Sequence, residues 1–134
     1  MNNILVFMKW LGGMVCGIIT YLFGGIDAVF IVLLAMIVLD YITGIMVAII
    51  KKNLSSSIGF NGIFKKIAIL LVVSAGYLIG QSMGVPEVRS IVIGFYIVNE
   101  GISITENAGN LGVPLPKKLI EILQQLKLKD GTEK

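Results

Sequence analysis

The sequence predicts an all-α integral membrane protein with four transmembrane helices, or three plus an interfacial N-terminal helix, and an amphipathic C-terminal helix. Three observations carry that expectation. Hydrophobic residues make up 56% of the 134-residue chain against 14% charged, with mean hydropathy +0.92. A soluble domain of this size leaves too much surface exposed to hide so much apolar area. The apolar residues fall in runs of about 20, the length that crosses a hydrocarbon core of about 30 Å. The basic residues are segregated between those runs in a way that gives all of them a side of the membrane.

The first element covers residues 4–23. It is interrupted by Lys9 and rich in glycine, which makes it the weakest crossing and keeps the interfacial alternative open. Apolar residues precede its lysine and no small-residue cleavage site follows, so a retained segment is expected rather than a cleaved signal. The second element, 28–50, is the most continuous apolar run and is long enough to cross at about 1.5 Å per residue. A polar, basic connector follows, "KKNLSSSIGFNGIFKK". The third element covers 63–83 and ends at a short "GVPEVR" turn punctuated by Pro86. The fourth, 88–106, stays apolar to Val98 and then turns polar as "NEGISITENAGN". After "GVPLP", residues 116–129 place Leu119, Ile122, Leu123 and Leu126 on one helical face. That tail lies on an anionic inner leaflet or forms a solvated end. The whole reads as a single membrane domain without internal repeat.

Charge sets the orientation. Lys9 lies near the N-terminus; Lys51, Lys52, Lys65 and Lys66 lie in the connector; Lys117, Lys118, Lys127, Lys129 and Lys134 lie in the tail. Arg89 alone falls elsewhere. Four crossings put every lysine on one side, and basic residues are retained in the cytoplasm. Both termini and the connector are therefore expected to be cytoplasmic.

Against this apolar background a few polar groups stand out. Asp40 sits halfway along the second element, where an aspartate costs about 2.5–3.5 kcal/mol on insertion scales. One reading makes it polar glue, bonded to Tyr41, Thr43 or Asn99. The other makes it a pore-facing or proton-sensitive group, since an ionisable residue inside a membrane is a functional hypothesis by default. On the fourth element Asn99, Ser103, Glu106, Asn107 and Asn110 follow helical spacing, with Glu100 beside them. Such a row faces a partner helix, a wet space or the cytoplasmic interface. Small residues recur every fourth position: Gly76, Gly80 and Gly84 in the third element, and Gly13 and Gly17 in the first, flanked by Gly12, Cys16, Thr20 and Gly24. Gly44 joins them in the second. These ridges let backbones approach closely, which is how helices associate in lipid, and they point to a homo-oligomer.

Several functions are disfavoured. The chain has no histidine and one cysteine, so the commonest base, zinc ligands and an internal disulfide are all missing. Neither GxxxxGK[ST] nor GxSxG occurs. No enzyme, cofactor, metal or nucleic-acid partner is expected.

Three stretches together, "LDYITGI", "KKNLSSSIGFNGIFKK" and "FYIVNEGISITENAGNLGVPLPKKL", resemble the phage-holin family that also includes clostridial toxin-secretion holins. The likeness extends from about Tyr21 to Leu126. It implies a protein of the bacterial cytoplasmic membrane that accumulates harmlessly. It then assembles into lesions that release a muralytic endolysin or a toxin, with no necessary direct contact to that cargo. On this resemblance Asp40, Tyr41 and Gly44 would form a packing or pore motif, and Asn99, Glu100, Ser103, Glu106 and Asn107 a second polar one. Physical reasoning alone leaves open a small ion channel or transporter subunit using the same carboxylates, and a non-conducting scaffold.

Overall fold

The computed structural model describes residues 2–129 of the chain. Among them the fold is entirely helical: α1 (Asn2–Phe23), α2 (Ala28–Ile50), α3 (Ser56–Met83), α4 (Glu87–Asn110) and α5 (Lys117–Lys129). The first four are long and apolar enough to cross a membrane, with mean hydropathy of 1.7, 2.5, 1.9 and 1.2 over their best windows. Lys134 lies outside the described residues.

Local chemistry sets the helix ends. Asp27 caps α2 by accepting the Phe30 N–H at 3.1 Å, and Ser55 caps α3 through the Ile58 N–H at 3.2 Å. The Ser55 cap explains a difference from the sequence reading. The sequence puts Lys65 and Lys66 in the connector, at the very start of a third element beginning near residue 63, but the cap starts α3 at Ser56, so both lie well inside a helix. Gly84 ends α3 in the left-handed region at φ +71°, where the Val85 N–H reaches back to the Gly80 carbonyl at 2.8 Å. Its role is to turn the chain, and nothing lies within 4 Å of where its Cβ would be. The fourth helix also outruns expectation, continuing to Asn110, whose side chain donates to the Glu106 carbonyl at 3.0 Å.

Packing is most extensive between α2 and α4, then between α3 and α4. The apolar core joins Phe30, Leu33 and Ile37 of α2 to Val73 of α3 and Ile93 of α4, with Ile19 and Phe23 of α1 against it. This core occupies the half of the bundle nearest the α1–α2 and α3–α4 turns. Two glycines of the predicted ridge serve here: a Cβ on Gly76 would lie 3.0 Å from Val92, and one on Gly80 would lie 2.6 Å from the Val85 carbonyl oxygen. They let α3 and α4 close on each other. Gly13 and Gly17 differ, with nothing within 4 Å of either. Indeed α1 has no buried residue and meets the bundle only through its C-terminal end. The α5 helix turns back toward α4, with Leu123 half-buried and Leu119 and Ile122 exposed.

Arg89 binds the two turns together. It meets Asp27 with two parallel hydrogen bonds, at 2.7 and 3.0 Å, and donates to the carbonyls of Phe23 and Gly25. Gly24, at φ +83°, is the residue that permits this: a side chain there would be strained and would strike Tyr77. Ser74 adds a bond to the Leu22 carbonyl at 2.8 Å. The guanidinium holds the Asp27 carboxyl down at about 2, against a usual 3.8.

Two outcomes follow for unfolding in detergent micelles. Gly80→Ala is expected to cost about 1–3 kcal/mol by overpacking against backbone, whereas Gly13→Ala, in open space, is expected to gain up to about 1 kcal/mol from helix propensity. The Asp27–Arg89 contribution should be complete above pH 3.8 and fade as pH falls toward about 2, because the folded carboxyl has the lower pKa. The stability difference between the native chain and Asp27→Asn should shrink over that range.

Candidate functional site

Beyond the apolar core, at mid-span, three helices each deliver one charged side chain to the same point. Asp40 comes from α2, Lys66 from α3 and Glu100 from α4. The Lys66 ammonium donates to Asp40 Oδ2 and, at 2.6 Å, to Glu100 Oε2. The cluster is enclosed: the side chains are 17%, 9% and 3% exposed for Lys66, Asp40 and Glu100. Asn107, about two turns further along α4, donates to Asp40 Oδ1 at 3.1 Å and to the Thr43 hydroxyl at 2.9 Å. Thr43 in turn donates to the carbonyls of Leu39 and Asp40 one turn back. Ser103 sits beside the same carboxylate.

This arrangement answers the cost of Asp40. A lone carboxylate in hydrocarbon is expensive, and an ion pair there is tolerable only when its remaining lone pairs are bonded. Lys66 and Asn107 supply those bonds to Asp40. The charges do not balance, however: two carboxylates share one ammonium.

The cluster forms the floor of an open cleft of about 620 Å³ between α2, α3 and α4. Of the residues singled out by sequence, Asp40, Thr43, Glu100, Ser103 and Asn107 gather at or beside the floor. Asn99 is exposed within the cleft and Glu106 lines its edge. Tyr41 lines the cleft on its α3 side, its ring 3.1 Å from where a Gly62 Cβ would be and its hydroxyl donating to the Gly59 carbonyl at 3.4 Å. Gly44 faces Asn107 across α2 and α4 at 3.8 Å.

Lys66 is the correction. Its grouping with the basic connector put it among solvated cytoplasmic lysines, but α3 begins early enough to carry it into the bundle, between the two carboxylates. Lys51, Lys52, Lys65, Lys117 and Lys118 are exposed, and Lys51 reaches Asn110 at 3.4 Å. Helical phase alone does not separate the two lysines: at about 100° per residue, Val73 stands about 20° from Lys66 but Gly76 stands about 20° from Lys65, which lies exposed at the cleft.

Residues 17–128 match the model of the bacteriophage holin family. An uncharacterized 14.9 kDa Clostridium perfringens protein from the nagH 3' region is 41% identical, over 94% of this chain and 97% of its own. A second uncharacterized C. perfringens protein is 40% identical over 98% of both chains. An uncharacterized Listeria innocua protein is 41% identical over 84% of this chain and 81% of its own. No solved structure matches the chain.

The pairing scheme has a consequence for unfolding in micelles. Lys66→Met should cost about 3–5 kcal/mol by stranding two buried carboxylates. Combining it with Asp40→Asn and Glu100→Gln should recover most of that loss. A triple variant no more stable than Lys66→Met would show that the cluster is not a charge-paired unit.

Proposed function

Because this multi-pass membrane protein belongs to the bacteriophage holin family, we propose that it is a holin of the bacterial cytoplasmic membrane. It accumulates there, oligomerises into lesions and lets a muralytic endolysin or a toxin pass. The observation that best supports this reading is the cluster of Asp40, Lys66 and Glu100 on the floor of an open cleft at mid-span. A helix bundle that only had to persist in lipid would gain nothing from it, since apolar residues of similar volume pack at least as stably. Polar walls become useful when they can line water.

In the single chain Lys66 holds both carboxylates, so these charges are sheltered, and the surface outside the cleft is largely apolar. As copies accumulate, contacts between chains compete with lipid for that surface. Clefts brought together then offer a common aqueous lining, and hydration of Asp40, Glu100, Asn99 and Ser103 favours the open assembly. A charge that moves across the whole membrane field changes energy by about 2.3 kcal/mol per 100 mV, so depolarisation can bias the same step.

The cleft also supports a second reading, a small ion channel or transporter subunit in which a cation passes along the carboxylates. The two readings separate on what crosses the membrane.

Induced expression in a bacterium carrying a cytoplasmic muralytic enzyme is expected to lyse the culture abruptly after a delay. Without that enzyme, expression should collapse the membrane potential and spare the wall. Asp40→Asn and Glu100→Gln should each shift the delay. Saturable flux of a small cation, with the enzyme kept inside, would replace the holin reading with the channel one.

A further inference from the structure

The first helix is the part of the molecule that the single chain leaves unexplained. Residues 2–18 are all exposed, and Lys9 makes no hydrogen bond or ion pair among the described residues. Lys9 is not randomly placed on α1. At 100° per residue it stands in the middle of the face that carries Gly12, Gly13, Cys16, Gly17 and Thr20, while Phe7, Met14 and Ile18 cover the opposite face. From Lys9 toward its C-terminus that side of α1 is thus narrow and smooth, with Leu5 and Val6 flanking the single positive charge on its other side.

Depth supplies the complement. Arg89 ties the end of α1 to the start of α2 and of α4, which gives the helices a shared level. Measured from there at about 1.5 Å per residue, Asp40 lies about 18 Å along α2 and Glu100 about 20 Å along α4; Lys9 lies about 21 Å back along α1. An α1 that crosses the bilayer therefore carries its cation at the level where two carboxylates share one ammonium. That level is also where the cleft opens.

We propose that α1 of a second copy of this chain seats its glycine face on the cleft and brings Lys9 to the Asp40–Lys66–Glu100 cluster. The contact completes a charge set that one chain leaves a cation short, and the glycines let the incoming backbone come near enough for the lysine to reach. It is a head-to-tail contact, because each copy gives one α1 and receives another. Such contacts propagate into rings or open arrays instead of stopping at a pair. The proposal rests on the assembly step of the holin reading and names the surfaces that carry it.

The test uses the full chain with Cys16→Ser, in bacterial membranes, as two differently tagged copies. One copy carries Gly12→Cys, where nothing lies within 4 Å, and the other Asn99→Cys, an exposed position in the cleft. Oxidation is expected to give a disulfide joining the two tags. Phe7→Cys, on the far face of α1, should give none. Lys9→Met should lower the yield about tenfold, and Lys9→Arg should keep it. A disulfide that forms only when both cysteines lie in one copy would overturn the proposal, since α1 then covers its own cleft. So would a Phe7→Cys yield equal to that of Gly12→Cys. If no disulfide forms while amine cross-linking still traps oligomers and a co-expressed muralytic enzyme still lyses the cells, this interface is wrong and the holin reading stands. If oligomers and lysis are both lost in the native chain, both fall.

Discussion

The structure depends on a lysine held between two carboxylates in the middle of a membrane bundle. Each of the three helices that build the bundle contributes one of these charges, and none could be carried alone in hydrocarbon at tolerable cost. The cluster therefore links α2, α3 and α4 at one point, and losing any one of the three charges strands the others. The apolar core of Phe30, Leu33, Val73 and Ile93 holds the end nearest the turns, and beyond it polar bonds take over. Packing and polarity divide the bundle between them along its length.

The other ion pair follows a different logic. Asp27 is about half exposed and Arg89 is mostly covered, so their attraction is softened by water and contributes little on its own. Its value is geometric: the guanidinium fork spans the Asp27 carboxylate and two backbone carbonyls, which fixes where α1 leaves and α2 begins. The same chemistry thus locates a turn at one end and sustains a buried seam at the other.

The fold class was legible because composition and run length leave few alternatives for a chain this apolar. Asp40 and the row from Asn99 to Asn107 were legible as anomalies, since each breaks the pattern around it. Their common partner was not. Lys66 is 26 residues from Asp40 and 34 from Glu100, and it stands in a basic doublet that resembles a connector. Composition treats Lys65 and Lys66 alike, yet one step of about 100° leaves the first exposed at the cleft and sets the second between two carboxylates. The serine cap that starts α3 early decides this, and caps act over three residues in a way that hydropathy windows average out. The glycines divide on similar grounds: identical spacing places Gly76 and Gly80 against α4 and leaves Gly13 and Gly17 facing open space.

The attachment of α1 by one end has a mechanical side. A helix of its length is a rod of about 33 Å, held to the bundle only over its last turn, from Ile19 to Phe23. Membrane helices commonly lean by about 20°, and a lean of that size carries the free tip through about 11 Å, roughly one helix diameter. A molecule whose α1 leans in this way reaches past its packed body, so that neighbours would touch while their bodies are still separated by lipid.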